Sequence, residues 1–292
     1  MRSLRNAGCW VLACTIVVTG AGAGSPTLAA PRVDDGDRPY WRTNLFKRVF
    51  TGQKFLLTRW WPREIKDPLF ASTLGAGLAM VIQSGSRAGG GRDLAWESGI
   101  SGAAGPGVKG ASHGLTKLGN GTTIAAILGI TYLSSRRAHD DRLSQASSLA
   151  AESLLDAGIW IVVLKSVTAR VRPNHTDAGS FFQYGNSQNG SFPSGHAMSA
   201  FSVAAVFAES YHDKKWVPWL SYGLAGLVSA SRLALGRHFP GDVVVGAVLG
   251  TSIGRGVVAR SGEETPRTRG TFGPVVGPEG RGVGVGWSCS WN

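Results

Sequence analysis

Apolar residues recur every three or four positions in one long stretch of this chain, and that spacing constrains its fold more than any other feature. Between residues 144 and 172, Leu155, Ile159 and Val162 recur at this spacing on one helix face, and Pro173 predicts where the helix ends. The apolar runs are mostly 12 to 16 residues long and rich in Ala, Gly and Ser, which favours the buried helices of one compact bundle. A polytopic membrane protein is the alternative, because small residues also suit helix packing in lipid. The predicted class is all-α. Shorter apolar runs predict further helices at 69–86, 123–134, 194–211, 216–232 and 242–255.

The segments between and after these helices carry weaker signals. Residues 85–122 are dense in glycine and predict loops with short helical pieces. Within the tail at 261–292, glycine alternates with valine and aromatic residues from 271 to 291, which predicts a tail that is irregular or forms a short β-hairpin. We therefore expect one helical domain at 31–260, whose core at 120–258 holds the motifs described below.

The first part of the chain, residues 1–30, has the three regions of a secretory signal. Arg2 and Arg5 are positive, residues 9–18 are almost continuously apolar, and small residues follow. The apolar run is short for an anchor that spans a bilayer of about 30 Å. We expect removal of this segment on export, which predicts a periplasmic protein or one associated with the extracytoplasmic side of a membrane. Cys289 would then be the single cysteine, so no internal disulfide could form.

The net charge of +12 predicts an anionic partner, such as a phosphate ester, an acidic membrane or a nucleic acid. Residues 39–63 concentrate this charge, with six Lys or Arg, no acid and several aromatic residues. They could lie on an anionic membrane surface. They could also form a covering helix whose aromatic side chains pack inward and whose basic residues face water. A nucleic-acid partner is not expected, because no binding module for one is recognisable.

Three clusters of polar residues could bind and attack an anion. In the first, Lys165 and Arg172 are seven residues apart (172 − 165). On one continuous helix, that spacing would put both cations on the same face, where they could hold an anion together. The alternative is an ordinary solvated helix end, where basic residues are common for electrostatic reasons.

The second cluster is Phe192-Pro193-Ser194-Gly195-His196, at the predicted start of a helix. Unpaired N–H groups at a helix N-terminus form an anion site, and glycine lets the anion approach the backbone closely. His196 could donate a proton there. The alternative is an ordinary helix cap beside an incidental histidine.

The third cluster is Ser231-Arg232, followed by His238 and Asp242. The guanidinium fork of Arg232 suits phosphate oxygens. His238 and Asp242 would be one turn apart if a helix begins at Gly241 or Asp242. Asp242 could then accept the Nδ1 proton and leave Nε2 free to attack. The alternative is a buried histidine–aspartate hydrogen bond at a helix start.

Together the clusters supply three cations, a helix N-terminus, two histidines and a carboxylate. This set suits a phosphoryl transition state with charge on three equatorial oxygens. The motifs K-x6-R-P, P-S-G-H and S-R-x5-H-x3-D also closely resemble the signature of one superfamily. It comprises the type 2 phosphatidic acid phosphatases, the bacterial non-specific acid phosphatases and the vanadium haloperoxidases. The resemblance extends over 120–258, and the three motifs match without a departure.

The resemblance implies an all-helical bundle with its active site at helix ends, and a metal-independent phosphatase that forms a phosphohistidine on His238. It implies that Asp242 orients His238, while His196 protonates the leaving group and then activates water. No cofactor is implied, and vanadate is expected to enter the pocket as an inhibitor that mimics phosphate. The groups implied to hold the phosphoryl oxygens are Lys165, Arg172, Arg232, Ser194 and the Gly195 amide.

Two substrate classes stay open at this point. One is small phosphomonoesters, as for a soluble periplasmic acid phosphatase, and the other is lipid phosphates, met at the membrane through residues 39–63. A different activity, vanadate-dependent halide oxidation, would use the same pocket with vanadate as its cofactor. A non-catalytic anion-binding protein is a further alternative, but binding alone would not require both histidines and Asp242.

Overall fold

A computed structural model describes residues 33–34, 38–83, 92–175, 177–184 and 190–262, and the backbone of two strands at 271–276 and 283–288. The predicted signal segment (1–30) and Cys289 lie outside the described residues. The division of the chain into a signal, one domain and a tail therefore stays a prediction.

Helices dominate the described chain, which confirms the predicted all-α class. A 3-10 helix, Tyr40–Arg42, precedes the first α-helix, and a π-helical turn, Leu56–Trp60, joins the first to the second. In chain order the α-helices are α1 (Leu45–Phe55), α2 (Trp61–Glu64), α3 (Pro68–Gln83), α4 (Arg92–Ala103), α5 (Pro106–Leu118), α6 (Gly121–Arg137), α7 (Asp141–Thr168), α8 (Gly195–Ser210), α9 (Trp216–Ala234) and α10 (Pro240–Ser261).

Two small antiparallel ladders accompany the helices. Strand β1 (Val33–Asp34) pairs with β2 (Arg38–Pro39) ahead of the bundle. Strand β3 (Thr271–Val276) pairs with β4 (Val283–Ser288), so that the first residue of β3 lies opposite the last residue of β4. The tail thus contains the β-hairpin that its alternating sequence predicts.

Helices α8 and α10 form the centre of the bundle, and glycines on α10 let their backbones touch. A Cβ atom at Gly250 would lie 2.3 Å from the carbonyl oxygen of Met198, and one at Gly254 would lie 2.2 Å from that of Ser202. Side chains at these positions would therefore force the helices apart and lose close packing. Helices α7, α9 and α3 pack around this central pair.

Two predicted segment boundaries are wrong. The glycine-rich stretch 85–122, expected to be mostly loop, contains α4 and α5. Helix α5 packs against α9, and α4 packs against α3 and α9, so tertiary contacts offset the intrinsic cost of glycine in a helix. The last helix, α10, is also longer than the predicted 242–255, because Pro240 starts it and close packing continues to its end.

Several helices carry apolar side chains on their outer faces, contrary to the expectation of helices buried on all sides. On α6, Ile127, Ile130 and Leu133 are 49%, 66% and 58% exposed, and Trp219 on α9 is 69% exposed. Among the described helices, α7 and α10 are long and apolar enough to cross a membrane, and the bent pair 45–64 with 68–83 could form a third crossing segment. Such a surface indicates association with a membrane.

Residues 39–63 combine features of both arrangements considered for them. Trp41 and Trp60 are buried against the bundle, as a covering segment requires. Phe46 and Phe50 are instead 76% and 82% exposed. Arg48 is buried, although the covering-helix interpretation puts basic residues in water. The reason is an ion pair between Arg48 and a buried carboxylate of α7.

Candidate active site

Four helix ends meet at one end of the bundle, and each carries one of the predicted site residues. Lys165 lies in the last turn of α7, and Arg232 lies in the last turn of α9. Ser194 is the residue before α8, and Asp242 is in the first turn of α10. The fold therefore brings the three sequence motifs together.

Arg172 reaches this end of the bundle by a different route from the predicted one. Helix α7 ends at Thr168, and Ala169 takes the left-handed conformation with φ of 39°. The backbone N–H of Val171 then donates to the carbonyl of Ser180 at 2.9 Å. Lys165 and Arg172 are thus not on one helix, because Pro173 disfavours helical geometry at Arg172 and a loop contact holds the chain extended.

The two cations of the first motif differ in their surroundings. The Lys165 ammonium donates to the carbonyl oxygen of Gly190, which holds its side chain across the loop. Burial lowers the pKa of Arg172 from its ordinary value, and the nearby charge of Arg237 lowers it further. A bound anion would offset this mutual repulsion of cations, since opposite charge favours their charged forms.

Ser194 is at the N-cap position of α8, but its hydroxyl caps nothing. The side chain is fully buried, and its Oγ has no hydrogen-bond partner in the described structure. An ordinary cap would accept a hydrogen bond from the first turn of its helix. A buried hydroxyl without a partner costs free energy unless a ligand satisfies it. This geometry favours the anion-site interpretation of the second motif.

His196 follows Gly195 in the first turn of α8, among the cations. Burial lowers the pKa of His196 to about 4, and the charges of Arg232 and Lys165 lower it further, while a hydrogen bond with the Thr116 backbone raises it. Arg232 donates from Nη1 to the Thr116 hydroxyl at 2.6 Å. Burial also lowers the pKa of Arg232, to about 10, with contributions from Arg172 and Arg237.

His238 and Asp242 are both buried and lie four residues apart across the start of α10, which begins at Pro240, but their direct contact is not the predicted one. The His238 Nδ1 atom is 2.8 Å from the carbonyl oxygen of Ser191 and 3.7 Å from the nearer carboxylate oxygen of Asp242. A carbonyl accepts but cannot donate, so Nδ1 carries the proton and Nε2 carries the lone pair. The Ser191 carbonyl therefore fixes the tautomer, and Asp242 acts from a greater distance.

Asp242 is instead hydrogen-bonded to groups that surround it. Its carboxylate accepts from the Ser191 hydroxyl and from a guanidinium nitrogen of Arg170. It also accepts from the backbone N–H of Phe239 at 3.3 Å, which caps the start of α10. Burial lowers the pKa of His238 to about 4, although the Asp242 carboxylate opposes that shift. His238 is therefore neutral at physiological pH.

Five residues of this region were not predicted from the sequence. Arg170 stands two residues before Arg172 at an unspecified position of the first motif, and Arg237 directly precedes His238 in the third. An additional arginine within each motif could have indicated both residues from the sequence. Ser191, Thr116 and Asp93 had no such signal, because their contacts join segments far apart in the chain.

The pocket has a surplus of positive charge, which is the property an anion site needs. Lys165, Arg172 and Arg232 lie close to one another without an ion pair among the described residues, whereas Asp242 is paired with Arg170. With a buried hydroxyl and a neutral histidine added, the arrangement can bind a phosphoryl group and attack it. Among the described residues, no group of three or more His, Cys, Asp or Glu is placed to hold a metal ion.

Comparison with known proteins gives matches over the motif region. A model of the PAP2 superfamily matches residues 144–265. The decaprenylphosphoryl-5-phosphoribose phosphatase of Mycobacterium tuberculosis is 30% identical over 152 residues, which are 51% of this chain and 78% of that protein. The lipid A 1-phosphatase of Porphyromonas gingivalis is 34% identical over 88 residues, which are 29% of this chain and 17% of that protein.

The fold is also similar to a solved structure, a transmembrane PAP2-type phosphatidylglycerolphosphate phosphatase from Bacillus subtilis. The TM-score is 0.50 at 24% sequence identity, and the superposition covers 64% of this chain and 93% of that one. This likeness supports a shared helical bundle. The matched stretch 144–265 contains all three motifs and leaves α1 to α6 outside it.

Proposed function

This chain belongs to the PAP2 superfamily and is a phosphatase, and on that premise we propose that it hydrolyses a lipid phosphomonoester through a phosphohistidine on His238. The relatives named above are phosphatases of lipid-linked phosphates. The observation that carries the proposed chemistry is the neutral, tautomerically fixed His238 close to the cations and to the Ser194 hydroxyl, which is buried without a partner.

The first step is attack by His238 on phosphorus. Its Nε2 lone pair forms the P–N bond while the bond from phosphorus to the ester oxygen breaks. His196 gives its proton to that oxygen, so the alcohol leaves neutral. Five groups then stabilise the charge on the three equatorial oxygens: Lys165, Arg172, Arg232, the Ser194 hydroxyl and the Gly195 amide.

The second step returns the enzyme to its starting state. His196, now neutral, takes a proton from a water molecule, whose oxygen attacks phosphorus as the P–N bond breaks. Inorganic phosphate leaves, and Nε2 of His238 regains its lone pair. The cationic side chains that hold the phosphoryl group supply the positive charge that a metal ion would otherwise provide. We therefore propose that turnover needs no metal ion.

An apolar cavity beside His196 supports a lipid leaving group. It has a volume of about 310 Å³ and lies between α5, α6, α8 and α9. A Cβ atom at Gly119 would lie 2.2 Å from Val228, which lines the cavity, and 3.0 Å from the His196 ring. The proton donor and the cavity are thus next to each other. An ester oxygen held at His196 would direct its acyl or isoprenoid chain into this space.

The position of the site relative to the apolar helices supports work at a membrane surface. Lys165 lies in the last turn of α7 and Asp242 in the first turn of α10, so the site lies at the same end of both candidate spans. We propose that this end faces the extracytoplasmic side, because of the predicted signal at 1–30. Phe46 and Phe50 flank Arg48 at the other end of α10, and we propose that they contact the opposite bilayer surface.

The first experiment measures phosphate release in excess EDTA from phosphatidic acid in detergent micelles and from an aryl phosphate. We expect metal-independent release from wild-type protein, and loss of at least about four orders of magnitude in His238→Ala. His212→Ala is the matched control, because His212 lies at the opposite end of α8 and contacts the Glu209 carbonyl at 3.0 Å. Near wild-type turnover in His238→Ala would end the mechanism.

The lipid preference has its own test. Ser221 lines the apolar cavity, and Ser221→Phe should fill part of it. We expect a KM for phosphatidic acid raised about tenfold or more, with aryl phosphate hydrolysis unchanged and Ser221→Ala close to wild type. Equal effects on both substrates would instead favour a soluble-substrate phosphatase.

The haloperoxidase alternative predicts halide oxidation by the vanadate-loaded protein, which the phosphatase proposal does not.

A further inference from the structure

A buried arginine outside the established motif positions connects the catalytic histidine to a distant helix. The Arg170 side chain is fully buried, as are the side chains of Asp93 and Asp242 on either side of it. One guanidinium nitrogen contacts Asp242, and the other is 3.1 Å from Asp93. Each end of the guanidinium fork thus holds a different carboxylate.

The backbone of Arg170 is part of the same arrangement. Its carbonyl oxygen accepts from the N–H groups of Gly190 and Ser191, at 3.0 and 2.9 Å. Ser191 in turn offers its carbonyl to His238 and its hydroxyl to Asp242. Arg170 therefore holds two groups: through its backbone it holds Ser191, whose carbonyl sets the tautomer of His238, and through its side chain it holds the Asp242 carboxylate.

Asp93 anchors this arrangement from α4, a helix outside the stretch that matches the superfamily. Its second carboxylate oxygen accepts from the backbone N–H of Gly241 at 3.0 Å, at the start of α10. Burial raises the pKa of Asp93 to about 6, while the Gly241 N–H and Arg170 oppose that rise. Asp93 is thus mainly ionised at neutral pH and holds both Arg170 and the helix that follows His238.

Aromatic rings close the remaining faces of the guanidinium. The Arg170 guanidinium lies 4.1 Å from the ring centre of Phe239 and 5.3 Å from that of Phe181. Phe239 directly follows His238 in the chain. Because two carboxylates and two aromatic rings surround the guanidinium, the Arg170 side chain has little freedom to move.

We infer that Asp93 and Arg170 are positioning residues for the phosphoryl transfer, which hold Asp242, the Ser191 carbonyl and the start of α10 so that His238 Nε2 points at phosphorus. This inference rests on the proposed phosphohistidine mechanism. A structural role alone would require only that the buried charges be paired, as at the Glu152 site between α1, α7 and α10.

The test substitutes Asp93→Asn, which keeps an acceptor for the Gly241 N–H but removes the charge that holds Arg170. Single-turnover experiments would follow labelled phosphohistidine formation from an aryl phosphate. We expect phosphorylation and kcat to fall about tenfold to a hundredfold, with KM within about twofold of wild type. Vanadate should still raise the Tm, since the groups that hold the phosphoryl oxygens are unchanged.

Glu152→Gln is the matched control, because Glu152 is fully buried and paired with two arginines far from the pocket. We expect it to lower the Tm but leave the phosphorylation rate of the folded protein unchanged. Arg170→Lys is the second variant, and it guards against failure of Asp93→Asn to fold. Lysine keeps the buried charge but cannot bridge two carboxylates, so kcat should again fall with KM retained.

The outcomes separate this inference from the proposed function. If wild-type protein forms no phosphohistidine, the proposed mechanism fails. If wild-type protein forms it and folded Asp93→Asn forms it at the same rate, the positioning role is wrong and the mechanism stands. The positioning role is also wrong if Asp93→Asn loses vanadate binding and Tm together with kcat, because that pattern indicates a general loss of structure.

Discussion

Two buried ionic clusters lie at opposite ends of α10, and they differ in how their charges are balanced. At one end, Asp242 belongs to the candidate active site. At the other, eighteen residues along (260 − 242) and about 27 Å away by helical rise, Arg260 and Arg48 face Glu152 of α7. The Tyr40 hydroxyl donates to the same carboxylate at 2.7 Å.

In the cluster around Glu152, both arginines have a partner within the protein, because Arg48 and Arg260 each form an ion pair with the Glu152 carboxylate. The active-site cluster pairs Asp242 with Arg170 and leaves Lys165, Arg172 and Arg232 facing the pocket. Burial of charge therefore does not by itself indicate a ligand site. The active-site cluster indicates one, because Lys165, Arg172 and Arg232 have no carboxylate partner among the described residues and a bound anion would supply it.

The same conservative substitution in each cluster would test this comparison most strongly. Arg172→Lys should lower kcat/KM by about 10²- to 10³-fold, because an ammonium replaces a planar fork that can hold two phosphoryl oxygens. The Tm should change little, since Arg172 makes no buried ion pair in the described structure. Steady-state kinetics with an aryl phosphate measure the first effect, and thermal unfolding in detergent measures the second.

Arg48→Lys should give the opposite pattern. Its guanidinium is 3.3 Å from Glu152 and donates to the Ser148 hydroxyl at 2.8 Å, contacts that one ammonium cannot reproduce together. We expect the free energy of unfolding to fall by about 2 kcal/mol, with kcat of the folded protein unchanged. If Arg48→Lys lost activity while Arg172→Lys lost stability, the division of roles between the clusters would be wrong.

The pH dependence of activity should show a smaller effect than the substitutions, and it compares the two histidines of the active site. The pKa of His238 is lowered to about 4, and neutral histidine is the nucleophile, so kcat/KM should fall about tenfold per pH unit below that pH. His196 must carry a proton to act as an acid. Because Arg232 and Lys165 help to lower its pKa to about 4, a bound phosphate should raise that pKa again.

The alkaline limb of kcat should therefore lie at higher pH than the alkaline limb of kcat/KM, which reports the free enzyme. Profiles of both constants against pH would measure the separation. Arg48→Lys should leave both profiles in place, since it touches neither histidine. Coincident alkaline limbs would contradict the role assigned to the cations around His196.

Part of the candidate site could be predicted from the sequence, and part could not. The three motifs name His196, His238 and Asp242, each within a short local pattern at a helix end, and the structure places His238 within 3.7 Å of Asp242. The helical spacing between Lys165 and Arg172 gave the wrong geometry. The spacing of two residues does not show whether the helix continues between them. Here α7 ends at Thr168, and a hydrogen bond from Val171 to Ser180 belongs to the loop that carries Arg172.

The sequence by itself determined the all-α class, most of the helices and the residues of the motifs. It could do so because helical periodicity, capping and motif spacing act over a few residues. Only the tertiary structure decided which atoms hold His238, where the apolar cavity lies and that Asp93 belongs to the site. Asp93 and Gly241 are 148 residues apart in the chain. No local pattern encodes such a pair, because packing of whole helices brings it together.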